Sequence, residues 1–138
     1  MRKRVIEVCT CLVFVLLLGI GAYQAKTVKT VKTHEVASDL YSKVEITDAI
    51  NVVKNEMDVN WKGCDLQEIY YAGDETSKDY LNWATRNNAD ESLVLLSTFY
   101  VGNDFKDASL EPDSTYENWM WILVRTEDGQ WKCVDWGY

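Results

Sequence analysis

Hydrophobic positions along the chain fall into one long uncharged run, one stretch of helical period and several stretches of strand-like alternation. The run comes first: residues 8 to 25 carry no charge and follow the basic start Met1-Arg2-Lys3-Arg4. As a helix it would be about 27 Å long, matching the hydrocarbon core of a bilayer. This predicts a signal anchor or a cleaved signal peptide over residues 1 to 25, with the anchor as the preferred reading. Residues 26 to 41, with the echo Lys-Thr-Val-Lys-Thr-Val-Lys-Thr-His, read as a polar tether. Fully extended, it would reach about 50 Å.

Helical period begins at a capping-box signature, Ser42-Lys43-Val44-Glu45, with Tyr41 and Ile46 at the spacing of a hydrophobic staple. Ile46, Ala49, Ile50, Val53 and Met57 then recur every three or four residues, which predicts an amphipathic helix over residues 43 to 59. Gly63 suits the reversal beyond it. Residues 64 to 71 predict a strand, and residues 76 to 87 a second helix capped by Thr76 or Ser77. Residues 91 to 101 are too apolar and too β-prone for a solvated edge, so a central strand is expected. Residues 119 to 126 and 131 to 136 predict a hairpin closed by Asp128-Gly129 as a type I′ turn. That closure would pair Val124 with Cys133, Ile122 with Asp135 and Trp121 with Trp136. Both faces of the hairpin would then be apolar, so its sheet must be covered twice, curve around a core or expose aromatic surface.

The elements make residues 42 to 138 a single α+β domain, a long amphipathic helix packed on a curved antiparallel sheet of about four strands. Charge divides the chain in the same way. Residues 1 to 34 hold six Lys/Arg and one Glu, and residues 35 to 138 hold eight Lys/Arg against 21 Asp/Glu, or nets of +5 and −13. So acidic a domain would repel a phosphate backbone, which argues against nucleic acid as a partner.

Four cysteines fall in two groups. Cys9 and Cys11 open the apolar run and do not follow it, so neither is placed as a lipoprotein cysteine. Cys64 and Cys133 lie in the domain, where an oxidising exterior would permit a disulfide. Pairing would close a loop of about 70 residues and stabilise by roughly 4 kcal/mol. The alternative is a pair of buried free thiols.

Chemistry of the common catalytic kinds finds little footing. Nucleophilic catalysis needs a base beside the nucleophile, and the single histidine, His34, lies in the expected tether. Two cysteines without paired spacing do not make a zinc site, glycine-rich phosphate loops are absent, and no cofactor is expected. Asp104, Asp107, Glu111 and Asp113 crowd one stretch with oxygen ligands but do not follow the helical-loop calcium pattern; a solvated acidic loop is the default. Asp135, opposite Ile122, and Glu68, on a strand face with Leu66 and Tyr70, are the carboxylates that a cavity would make useful as acid or base. Trp119, Trp121, Trp136 and Tyr138 would share one hairpin face, either as core or as a surface for sugar rings or a peptide.

Several segments carry a resemblance. Tyr-Ser-Lys-Val-Glu-Ile-Thr-Asp-Ala-Ile at 41 to 50, Gly63-Cys64-Asp65-Leu66, Tyr116-Glu117-Asn118-Trp119 and the ending Asp135-Trp136-Gly137-Tyr138 resemble an uncharacterised family of small exported or lipoprotein domains of Gram-positive bacteria. The element order is similar to the cystatin-like and nuclear-transport-factor-like cone folds, whose enzymes use an Asp with Tyr in the cone. The family has no established activity, so the resemblance implies fold and location and assigns no catalytic residue. The function expected is a non-catalytic, membrane-tethered extracytoplasmic binding or accessory domain, its partner an envelope protein, peptide or glycan. A small enzyme using a cone carboxylate and a structural or inhibitory partner of an envelope protein are the alternatives.

Overall fold

A computed structural model describes residues 29 to 138. The apolar run at 8 to 25, with Cys9 and Cys11, lies outside the described residues. Among those described, no helix is long and apolar enough to cross a membrane.

Helix α1 spans Lys43–Asn60 and starts as its sequence predicts. Ser42 Oγ accepts the Glu45 N–H at 3.3 Å, and the Glu45 carboxylate accepts the Ser42 N–H at 2.8 Å, so two orphan donors of the first turn are satisfied. Ala49, Ile50, Val53 and Met57 form its buried stripe, and the Trp61 N–H closes the helix on the Met57 carbonyl.

Four antiparallel strands follow in the order β1-β2-β3-β4: β1 Cys64–Tyr71, β2 Glu91–Val101, β3 Ser114–Arg125 and β4 Lys132–Gly137. Strand β2 is central, as its apolar run requires. Between β1 and β2 the expected single helix is two short ones, α2 Asp74–Asp79 and α3 Leu81–Arg86, and α2 starts at Gly73 without a side-chain cap. Ser77, expected as a cap, is buried against β2. Its hydroxyl accepts the Val94 N–H at 3.1 Å and its carbonyl accepts the Ser92 hydroxyl at 2.9 Å. That same carbonyl receives the Tyr80 N–H, where the helix breaks.

The two apolar faces of the sheet are thus covered separately. Ile69, Tyr71, Leu93, Leu95, Phe99, Val101, Trp121 and Leu123 pack with the stripe of α1. Val94, Ile122 and Val124 alternate with them and are buried on the face where α2 and α3 lie.

Three bulges shape the sheet. Gln67 is unpaired between Leu66, opposite Phe99, and Glu68, opposite Thr98. On the other side of β2, the pairing skips Glu117 and Asn118 between Ser97–Trp119 and Phe99–Tyr116, with Asn118 at φ 54°. Both irregularities fall at Thr98 and Phe99, so the sheet bends across that line. Helix α1 lies in the bend and touches both edge strands.

The third bulge corrects the hairpin. Trp121 pairs with Trp136 and Ile122 with Asp135 as expected, but Leu123, not Val124, faces Cys133. A one-residue slip exchanges faces, so Cys133 joins Trp121 and Leu123 on the α1 side. The turn also differs: the Gly129 N–H donates to the Thr126 carbonyl at 2.8 Å. The central residues are therefore Glu127 and Asp128, neither at positive φ, so the turn is not type I′. Trp131 leaves the strand to be buried, its indole N–H donating to the Glu45 carbonyl at 3.1 Å and the Arg125 guanidinium lying 4.3 Å above its ring.

From Lys29 onward, the stretch expected as tether is a strap on the domain. The Lys32 N–H donates to the Gln67 carbonyl, and the Lys32 carbonyl accepts the Ile69 N–H, a single parallel bridge to β1. Val31 and Val36 pack against the core. Asp74 holds the far end, accepting the Ser38 hydroxyl at 2.6 Å and the Asp39 N–H at 2.8 Å.

At the start of α1, Arg125 is paired by Glu45 and Glu91. The bond from Arg125, followed by those from Ser42, holds the Glu45 carboxyl down at about 2. A depressed carboxyl contributes stability that is fully present above its unfolded pKa and is lost as pH falls through the folded one. Glu45→Gln is therefore expected to lower neutral-pH stability by on the order of 1 kcal/mol, after discounting for a carboxylate about one-third exposed. The deficit should shrink between about pH 4.5 and 2 in melts at stepped pH. A deficit that stays constant over that window would place Glu45 outside the ion pair.

An aromatic groove at the end of the long helix

Trp61, directly after α1, is the centre of the aromatic packing. Its ring lies 5.1 Å from Trp121, 5.7 Å from Phe99, 5.7 Å from Trp136, 6.2 Å from Trp119 and 6.4 Å from Phe105. Phe99, Tyr116, Trp119 and Tyr138 extend the cluster along the sheet. Most contacts are edge to face, the arrangement ring quadrupoles favour.

Backbone geometry brings the loop after β2 onto this cluster. The Gly102 N–H donates to the Gly63 carbonyl at 2.8 Å, and the Phe105 N–H to the Gly102 carbonyl at 3.3 Å. Gly63 has φ 94°, and a Cβ there would stand 2.9 Å from the Phe105 nitrogen. Glycine is thus required both by conformation and by close approach. Phe105 is thereby stacked on Trp61 at 26° between planes.

Between α1, this loop and β4 opens a groove of about 700 Å³. Trp61, Phe105, Leu110 and Trp136 supply its apolar lining, and Glu56, Lys62, Asp104, Lys106 and Asp107 its charged rim. Asp107 accepts the Ser109 N–H at 2.9 Å, which lowers its pKa.

The four aromatics nominated from sequence divide by burial. Trp121 is fully buried, its indole N–H donating to Ser97 Oγ at 2.8 Å, and belongs to the core. Trp119 is partly buried and packs against the same core, with an indole nitrogen that is inaccessible and, among the described residues, has no hydrogen-bond partner. Trp136, 44% exposed, and Tyr138, 79% exposed, remain at the surface. Trp61 and Phe105 were not among the candidates. The signal for Trp61 is its spacing of four from Met57, which continues the apolar stripe by one turn to a position two residues past the predicted helix end.

The nominated carboxylates are not enclosed. The bulge at Gln67 puts Leu66 with Ile69 and Tyr71 toward the core, leaving Glu68 beside Tyr70 on the other side. There it lies 3.4 Å from His34 Nδ1, with the His34 ring 4.0 Å from that of Tyr70. Asp135 is half-buried opposite Ile122, on the face away from α1. Aromatic side chains fill the concave side where a catalytic cone would need space.

Asp104, Asp107, Glu111 and Asp113 do not converge. Asp113 accepts the Tyr100 hydroxyl at 2.6 Å, the Glu111 N–H donates to the Tyr116 hydroxyl at 3.0 Å, and Asp104 sits against the Gly63 and Gly102 backbone. Among the described residues, no three His, Cys, Asp or Glu side chains are grouped to hold a metal ion.

Cys64 and Cys133 are free, half-buried thiols. They stand on opposite edge strands, three strand spacings apart across the sheet and also displaced along it, since Cys64 aligns through Val101 with Ser114 and Cys133 aligns with Leu123, well beyond disulfide reach. The expected alternative of a bridge therefore fails on topology. Burial, with Asp104 near one and Glu56 near the other, pushes the Cys64 thiol up to about 11 and that of Cys133 up to about 12.

Two outcomes are expected. Trp121→Ala should cost about 3–5 kcal/mol in denaturant unfolding, Trp136→Ala about 1–2, and Tyr138→Ala within about 0.5; equal losses at all three would make the whole cluster core. With Cys9 and Cys11 replaced by serine, thiol labelling at pH 8 should be at least roughly tenfold slower than for a free cysteine peptide and should become complete on unfolding. Rapid oxidation to an intramolecular disulfide would refute the strand placement.

No family model, curated protein or solved structure matches the chain, so the chemistry of the groove is read from its own residues.

Proposed function

We propose that this chain is a membrane-tethered, extracytoplasmic binding or accessory domain, non-catalytic, whose ligand is held in the aromatic groove at the end of α1. The observation that carries the reading is the exposure of Trp136 in a groove also lined by Trp61 and Phe105, with Tyr138 exposed farther along the same aromatic cluster. An isolated exposed aromatic is ordinary, but a cluster open to solvent on one side and rimmed by charge has the anatomy of a recognition site.

A cystatin-like or nuclear-transport-factor-like cone is the fold we assign, on the order of a long helix followed by a bent antiparallel sheet. The filled concave side favours the binding reading over an enzyme. Tethering is supported by the uncharged run and its basic start. With the strap docked from Lys29, only residues 26 to 28 separate that run from the domain. Three residues span at most about 11 Å, so the domain rides close to the bilayer. An oxidising exterior imposes no disulfide on it, because the two thiols cannot meet.

Protease added to intact cells should degrade the domain while sparing a cytoplasmic marker; protection would put the domain inside. The full chain in detergent micelles should be retained on cell-wall glycan or on arrayed short peptides. Trp136→Ala and Tyr138→Ala should abolish that retention while remaining folded by circular dichroism. Retention unchanged in both variants would exclude the groove.

A further inference from the structure

Strand β4 is the outermost of the sheet, and among the described residues no strand pairs with its outer edge. Such an edge presents a row of free backbone donors and acceptors, which proteins commonly blunt with lysine or a bulge. Here both guards, Lys132 and the bulge at Cys133 and Val134, sit in the first half of the strand. Asp135, Trp136 and Gly137 carry neither, and they end at the aromatic groove.

Beside the strand, α1 forms a second wall. A groove of about 590 Å³ lies between α1 and the β3–β4 turn with the start of β4, with Asn51, Asn55 and Glu56 on the helix side and Trp131 and Cys133 on the sheet side. It meets the aromatic groove at Glu56, which lines both. An open edge, a parallel wall of amides and an aromatic pocket at one end suit a chain that extends along a strand while setting one large side chain into the pocket.

We infer that this channel binds an extended basic peptide segment, added as a strand on Asp135–Gly137 with an apolar side chain in the Trp61–Phe105–Trp136 pocket. The inference rests on the binding-domain reading above and names its partner class. Charge selects the partner. Asp48, Glu56, Asp104 and Asp107 face the two grooves against Lys62 and Lys106, and the charge of Arg125 is already taken by Glu45 and Glu91. A net charge of −13 over residues 35 to 138 steers cations toward this surface. A second copy would bring two acidic grooves together, which like charge disfavours, and a glycan has no backbone of strand period to match the free edge.

The probe is a fluorescein-labelled seven-residue peptide alternating Lys and Val with one central Phe, titrated onto the full chain in detergent micelles. Saturable anisotropy is expected, with amide shifts concentrated at residues 135 to 137. N-methylation of alternate peptide nitrogens keeps the side chains and removes strand donors, and it should weaken binding at least roughly tenfold. Replacing the peptide lysines by Glu should do the same, as should Glu56→Lys in the protein at unchanged melting temperature.

Equal affinity for the N-methylated peptide, shifts confined to β1 and its strap, or no binding at about 1 mM would each overturn the inference. A dimer masking the amides of 135 to 137 would overturn it in favour of a second copy. If peptide binding fails while Trp136-dependent retention on glycan persists, the peptide inference falls and the binding reading stands. If both fail, both fall.

Discussion

The bend in the sheet at Thr98 and Phe99 is the constraint from which the rest of the molecule follows. A flat four-stranded sheet would offer one helix a plane wider than the helix, and its edge strands would be left uncovered. Bulges at Gln67 and at Glu117-Asn118, placed on either side of the same two residues of β2, fold the sheet around α1. The helix then reaches both edges, and the enclosed volume is filled by side chains as large as Trp61, Phe99 and Trp121. A domain of this size closes its core with aromatics because each removes a large area from water. Among the described residues, the same filling occupies the concave side where a catalytic carboxylate would need space.

The two ends of α1 are finished differently, and the contrast locates the site. At the N-terminal end, Glu45, Glu91, Arg125, Tyr41 and Trp131 form a closed set. The guanidinium is paired twice and stacked on a ring, and the Tyr41 hydroxyl donates to the Ser92 carbonyl. At the C-terminal end, Trp136 and Tyr138 stay in contact with solvent, and the loop bearing Phe105 stands off far enough to leave a groove. A satisfied polar network rigidifies one pole, while exposed aromatic surface at the other is what the proposed binding reading rests on.

Much of the local structure was legible in the sequence because it is encoded by near neighbours. The capping box at Ser42 and Glu45 and the stripe through Met57 need only four-residue spacing. The central strand needs only its run of β-prone apolar residues. Less of the candidate site was legible. Trp136 and Tyr138 were found by strand alternation, but Trp121, nominated with them, is core, and Trp61 and Phe105 enter only because Gly63 and Gly102 bring two distant loops together. Strict alternation places Glu68 with both Leu66 and Tyr70, and Cys133 with Ile122; the structure separates Glu68 from Leu66 and turns Cys133 to the α1 side, since a single-residue bulge inverts every alternation beyond it and leaves little local mark.

By itself, then, the sequence determined a long capped helix, a central strand, a terminal hairpin, an acidic domain and an uncharged N-terminal run, all properties of contiguous residues. Tertiary structure alone decided that the stretch from Lys29 is strap rather than tether, that the thiols stand on opposite edges, and which aromatics remain exposed. Those outcomes depend on where three bulges fall and on which segments compete for the same sheet face, and that competition is settled only when the whole chain packs.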